Sequence, residues 1–198
     1  MKSKQASGIA MLIGFGLIAT GFALSPPNLY QESDLAVQLQ IITTEFARFA
    51  ASQVASGAGI VTTTFGYVLL TVYLRGRQNA VLIYTGAAAF ILASVAVMVI
   101  VYQSLVDPAS FLERAFSENT SASLSEAVFT WSTIAGHFLY GIVYLRGNFP
   151  MWLGYLTVGS AALATVAVII ITPFIAEVLF LLPLVTGIVL VRHKGAKP

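Results

Sequence analysis

The sequence predicts an all-α fold, a six-helix transmembrane bundle with a duplicated parallel helical-hairpin repeat. Three observations predict it. The chain of 198 residues is 58% hydrophobic and only 9% charged, with a mean hydropathy of +0.87, whereas a soluble domain carries about 25% charged residues. Its apolar residues gather into six runs, each close to the ~20 residues that an α-helix needs to cross ~30 Å of hydrocarbon. And the pentapeptide "VYLRG" occurs twice, at 72–76 and 143–147, an offset of 71.

The runs cover 8–24, 54–74, 80–102, 125–145, 151–171 and 173–191, within a single transmembrane domain spanning 1–198. They are too long, and too apolar on every face, for barrel strands. The first has Lys2 and Lys4 ahead of it and "ALS" behind it, the outline of a signal peptide, but the proline that follows disfavours cleavage; it reads as a retained helix. The last two are separated by almost no polar sequence. As one helix, 151–191 would measure about 60 Å, twice the bilayer. Thr172 as a cap and Pro173 in a first turn place a tight reversal there.

Two further segments, 34–50 and 108–117, are amphipathic. Leu35, Leu39, Ile42, Phe46 and Phe49 form one stripe at helical spacing behind a cap at Ser33 or Asp34. Asp107 caps the second, and Pro108 opens it. The polar stretch after it contains Asn119-Thr120-Ser121, a glycosylation sequon that reads as an accident of a polar loop in a bacterial chain.

Charge sets the orientation. With six spans, Lys2, Lys4, Arg75, Arg77, Arg146, Arg192, Lys194 and Lys197 share one side and only Arg48 and Arg114 the other. This is the positive-inside pattern, so both termini are expected in the cytoplasm and the chain in the cell inner (plasma) membrane. The cations are split among short turns, which argues against a nucleic-acid surface despite a pI near 9.0. With no cysteine, thiol catalysis, disulfides and thiolate metal sites are excluded.

The offset of 71 extends beyond the pentapeptide. "LASVAVMVI" at 92–100 matches "LATVAVIII" at 163–171 in six of nine positions, and Thr62/Thr133 and Tyr84/Tyr155 coincide. The second and third runs are therefore read as one copy of a hairpin, and the fourth and fifth as another, related by a pseudo-two-fold axis near the membrane normal. The repeated Tyr, Arg and Gly read as an interfacial anchor, a snorkelling cation and a helix end rather than as reactive groups.

His137 is the only histidine inside an apolar run. It lies about 18 Å below the start of its helix, where an ionisable group is a functional-site hypothesis by default. Its counterpart in the repeat is Gly66, which would leave room beside the imidazole for a ligand, a water or a lipid headgroup. The opposing reading is a histidine bonded to a neighbour for packing. Glu177 sits near the outer end of the last run, favoured there by the helix dipole and too far from His137 for a dyad. Glu126, three residues after Ser123, completes a capping box. Glu45 and Arg48, one turn apart, can form an ion pair and read as a solvated face. Ser52, Gln53, Ser56, Gly57, Gly59 and Thr62 to Thr64 make a small, polar face on the second run. That face is either a close helix contact or the lining of an outward-facing cavity, and Gly14, Gly16 and Gly21 read as close packing. The candidate ligand-binding residues are thus His137, Gly66, Thr63, Ser56, Gln53 and Glu177. No metal spacing, nucleotide loop or nucleophile elbow occurs, and no cofactor is named by the residues.

"YLRGNFPMWLGYLTVGSAAL" at 144–163, "PFIAEVLFLLPLVTGIVLVR" at 173–192 and "GFGLIATGF" near the start resemble the bacterial membrane family known as domain of unknown function 4386. That family usually has a basic residue where this chain has Met151. The resemblance implies a six-helix bacterial inner-membrane protein and draws interest to Glu177, and it implies no activity. The first functional expectation is a non-enzymatic membrane protein. It binds a small apolar or amphipathic ligand or lipid, or serves as an accessory subunit, with membrane lipids and a second copy or another membrane protein as partners. The alternatives are a small-molecule carrier with a site between the repeats, and an intramembrane enzyme using His137.

Overall fold

A computed structural model describes residues 3–29, 31–32, 34–116, 123–170 and 179–192. Among them the chain is all-α. Its helices are α1 (Ser3–Leu24), α2 (Leu35–Thr44), α3 (Phe46–Leu74), α4 (Ala80–Val106), α5 (Pro108–Phe116), α6 (Leu124–Arg146), α7 (Met151–Ile170) and α8 (Leu181–Arg192). Five of these, α1, α3, α4, α6 and α7, are long and apolar enough to cross a membrane. The sixth expected span, 173–191, is described only at its end, as the 12-residue α8. The reversal at Thr172–Pro173 and the candidate Glu177 lie outside the described residues, as does the sequon.

Helix starts follow local chemistry. Asp34 Oδ1 accepts from the Ala36 amide at 2.8 Å, Asn79 Oδ1 from Val81 at 3.0 Å, and Asp107 Oδ1 from Ser110 at 3.1 Å. Ser123 and Glu126 form the expected capping box, so α2, α4, α5 and α6 begin with orphan amides satisfied. The stripe over 34–50 breaks at Glu45, whose φ of −113° and ψ of 33° end α2 and start α3. From there α3 runs 29 residues without interruption, about 43 Å, so the second span begins eight residues before the apolar run does. The part of the stripe beyond Glu45 is an extension of that span.

α2 and α5 close one end of the bundle. Leu29, Ile42, Phe49 and Leu112 are buried together there, with Leu35, Leu39 and Phe111 against them. At the other end the two "VYLRG" turns lie side by side, since a Cβ on Gly147 would come within 2.6 Å of Gln78 Nε2. The two turns differ in form. Gly76 has φ +76°, a left-handed conformation suited to glycine, while Gly147 is extended.

In the packing order, α1 lies between α8 and α3, α4 between α3 and α6, and α7 on the far side of α6. The hairpins α3–α4 and α6–α7 meet through α4 and α6. A two-fold axis between them would also set α3 against α7, but the other flank of α3 is covered by α1. The reason is steric. A Cβ on Gly59 would meet the Gly14 carbonyl oxygen at 2.6 Å and the Ile18 nitrogen at 2.7 Å, and one on Gly21 would meet the Ser52 carbonyl at 2.8 Å. Small residues let α1 and α3 approach backbone to backbone. Gly8 and Gly187 do the same for α1 and α8. Gly16, by contrast, has nothing within 4 Å, so its expected packing role is absent.

Candidate functional site

The centre of the bundle is aromatic. Tyr67 of α3 stacks on Phe90 of α4 with centroids 4.0 Å apart. Tyr140 of α6 leans on Tyr67 at 4.8 Å, and His137, one turn earlier, meets Phe90 edge-on at 4.9 Å and Tyr67 at 5.9 Å. These geometries follow the ring quadrupole. The Tyr140 hydroxyl donates to the Tyr67 carbonyl oxygen at 2.9 Å and also bonds Thr71 Oγ1, which ties α6 to α3 inside the bundle.

His137 is 2% exposed. Its Nδ1 lies 2.9 Å from the Thr133 carbonyl oxygen; a carbonyl only accepts, so Nδ1 carries the proton and Nε2 is an acceptor. Nε2 has no partner among the described residues. The cavity that His137 helps to line holds about 20 Å³, too little for a lipid headgroup. Gly66 does not create that space. It faces α1, where a Cβ would meet Met11 Cγ at 2.7 Å and where its carbonyl accepts from Ser7 Oγ at 2.7 Å. The expected room between Gly66 and His137 is therefore corrected: α1 occupies the face that the glycine leaves open.

The other candidates separate. Thr63 is buried and lines the same cavity as His137. Ser56 and Ser52 lie against Gly21 of α1, so this part of the polar face is a helix contact rather than a cavity lining. Gln53 is half-buried near the start of α3. Tyr144, read as an interfacial anchor, is fully buried, 5.0 Å from the Phe149 ring. Tyr73 at the equivalent position does sit at the rim, with the Arg77 guanidinium over its ring at 4.7 Å and a 3.0 Å bond from Arg77 Nη1 to its hydroxyl. Among the described residues no three His, Asp or Glu side chains gather as a metal ion would need.

A site that the residue pattern did not indicate lies on the wall of the bundle. α3 and α4 enclose an open groove of about 610 Å³, lined by Val61, Phe65 and Val68 on one side and Ile91, Val95, Met98, Val99 and Tyr102 on the other, with Thr64 and Ser94 also lining it. Those two hydroxyls are spent. Ser94 Oγ donates to Thr64 Oγ1 at 2.6 Å, and Thr64 Oγ1 donates to the Phe90 carbonyl oxygen at 3.3 Å. Apart from the Tyr102 hydroxyl, the groove therefore presents hydrocarbon. Its volume falls within the roughly 300–1,000 Å³ of small-molecule sites. Helical spacing does place Ile91, Val95, Met98 and Tyr102 on one face, but α4 is apolar all round, so no contrast marks that face in the sequence.

The chain matches no protein-family model, no curated protein and no solved structure. Its class rests on its own helices, which have the length and composition of a helical membrane protein.

Proposed function

We propose that this chain is a six-helix integral membrane protein without catalytic activity that holds a lipid acyl chain, or an apolar ligand of similar shape, in the groove between α3 and α4. The observation that carries this reading is the groove itself: about 610 Å³, open toward the side where lipid would lie, with the Thr64 and Ser94 hydroxyls bonded internally and the Tyr102 hydroxyl its other polar group. Such a surface offers an acyl chain contact on two walls and asks nothing of a polar group.

In this reading α8 completes a sixth span, both termini face the cytoplasm by the distribution of Lys and Arg, and the two hairpins descend from one duplicated unit. The resemblance of 144–163 and 173–192 to the family known as domain of unknown function 4386 supports a bacterial inner-membrane location. The protein acts as a lipid-binding or accessory component of that membrane.

The test is photo-crosslinking in nanodiscs with a phospholipid carrying a diazirine in its acyl chain. Adducts are expected to concentrate on Phe65–Val68 and Ile91–Val99, and Val95→Trp, which fills the groove, is expected to reduce them several-fold. The lipid-exposed residues Leu163 and Ile169 of α7, 72% and 70% exposed, serve as the reference surface. Equal labelling of both surfaces, unchanged by Val95→Trp, overturns the reading.

A further inference from the structure

Charge is unevenly placed along the bundle. The start of α1, the α3–α4 turn, the α6–α7 turn and the end of α8 meet at one end, as the contacts of Gly8 with Gly187, Gly66 with Ser7 and Met11, and Gly147 with Gln78 require. That end carries Lys4, Arg75, Arg77, Arg146 and Arg192. The described acidic residues, Glu32, Asp34, Glu45, Asp107, Glu113 and Glu126, all belong to the opposite end, with α2, α5 and the first turn of α6. We propose that the "VYLRG" end is a docking surface for anionic phospholipids, whose phosphate-bearing headgroups lie against Arg75, Arg77 and Arg146.

Charge, placement and the neighbouring apolar surface together select this occupant. The four arginines of this end are exposed, and among the described residues no carboxylate shares the end with them. The two turns that carry three of them also touch. A Cβ on Gly147 would lie 2.6 Å from Gln78 Nε2 and 3.1 Å from Phe149 Cδ2, and Lys4 Nζ stands 6.0 Å from the centroid of the same Phe149 ring. Cations from α1 and from both turns therefore gather over one region, where their fields add. Just inside them along the helices, Val72, Val81, Met151, Trp152 and Tyr155 are between 53% and 72% exposed. A partner that is anionic at the level of the turns and apolar below them matches both features, and a phospholipid has that form.

One member of the surface is already fixed. The Arg77 guanidinium lies 4.7 Å over the Tyr73 ring, and its Nη1 donates to the Tyr73 hydroxyl at 3.0 Å. This bond uses one of five N–H donors and leaves the charge intact. An arginine held in this way loses less freedom on meeting a phosphate than one that is unrestrained. The surface is separate from the α3–α4 groove and does not depend on it: Ile91, the groove residue nearest to this end on α4, is about 18 Å along the helix from Asn79.

Photo-crosslinking in nanodiscs of equal parts phosphatidylglycerol and phosphatidylcholine tests this. Benzoylphenylalanine is placed at Met151, beside the cationic turns, or at Leu124, 82% exposed at the opposite end, and adduct masses give the ratio of the two lipids. Each arginine near an anionic surface favours it roughly fivefold, so the glycerol-to-choline lipid ratio at 151 is expected to exceed that at 124 by about threefold or more. It is expected to fall at least by half in Arg75→Gln/Arg77→Gln/Arg146→Gln, and likewise in the chain with its arginines intact at 1 M salt, where the Debye length is ~3 Å. Equal ratios at the two positions, or a ratio at 151 that neither charge removal nor salt lowers, overturns the proposal. Should the triple variant fail to fold, the ratios of the chain with its arginines intact and their salt dependence decide.

Discussion

Replacing Gly59 by alanine should test the α1–α3 contact more sharply than any change of a large side chain. The new methyl would fall 2.6 Å from the Gly14 carbonyl oxygen, 2.6 Å from Ile18 Cγ1 and 2.7 Å from the Ile18 nitrogen. Two of these three atoms are backbone, so no rotamer change relieves the clash and α1 must move away as a unit. Overpacking of this kind costs about 1–3 kcal/mol, and the upper part of that range applies because the displacement also loosens the neighbouring contacts at Gly14, Gly21 and Gly66. Gly16→Ala is the matched control. It lies on the same α1 helix with nothing within 4 Å, and alanine there gains up to about 1 kcal/mol in helix propensity. Gly59→Ala gains the same propensity, so the two variants should differ by the overpacking cost, about 2–3 kcal/mol, Gly59→Ala being the less stable. The midpoint of SDS-induced unfolding in micelles, followed by the fluorescence of Trp131 and Trp152, measures the difference. Equal midpoints, or a more stable Gly59→Ala, would refute the close α1–α3 approach and with it the placement of Gly66 away from His137.

Tyr140→Phe removes a hydroxyl from between α3 and α6, but Thr71 Oγ1 still bonds the Tyr67 carbonyl at 3.0 Å, so no partner is left bare. The same SDS assay should show a loss near the ~0.6 kcal/mol average for interhelical bonds in membranes and below the ~1.7 maximum. A larger loss would mean that the hydroxyl also orders the aromatic stack. Ser123→Ala breaks the capping box, whose two bonds are Glu126 N to Ser123 Oγ at 3.3 Å and Ser123 N to Glu126 Oε2 at 2.8 Å; it should cost about 1 kcal/mol and speed amide exchange in the first turn of α6 alone. Faster exchange at His137 and beyond would show that this cap governs the whole helix.

The helix ends were largely legible because their causes are local. Asp34, Asp107 and the Ser123/Glu126 pair each act within three residues of sequence, and each caps a helix; Asn79 caps α4 in the same way without having been singled out. The start of α3 was less so. An apolar run marks where hydrocarbon begins, not where hydrogen bonding begins, and α3 reaches outward through Phe46–Gln53 with α2 and α5 against its end. Glu45 divides the stripe although nothing in its residue type announces a break.

Identical residues at repeat positions proved less informative. Tyr73 and Tyr144 share one pentapeptide, yet the first pairs with Arg77 at the rim and the second is wholly buried beside Phe149. Gly66 and His137 share a register and face different neighbours, α1 in one case and Phe90 with Tyr67 in the other. Matching residues share side-chain chemistry, but the turn each forms and the neighbours each meets depend on which helices flank it.

By itself the sequence determined the all-α, apolar character of the chain, the runs that contain its five long helices and the caps at Asp34, Asp107 and Ser123, since hydropathy and capping are summed over neighbours in the chain. Only the tertiary structure decided which face of each helix meets another. In water an apolar stripe would declare that face. In hydrocarbon lipid and protein are equally apolar, so the choice passes to shape: Gly14 against Gly59, Gly8 against Gly187, and the stacked rings of Tyr67 and Phe90 beside His137. The groove between α3 and α4 and the small cavity at His137 are the spaces that this fit of shapes leaves unfilled.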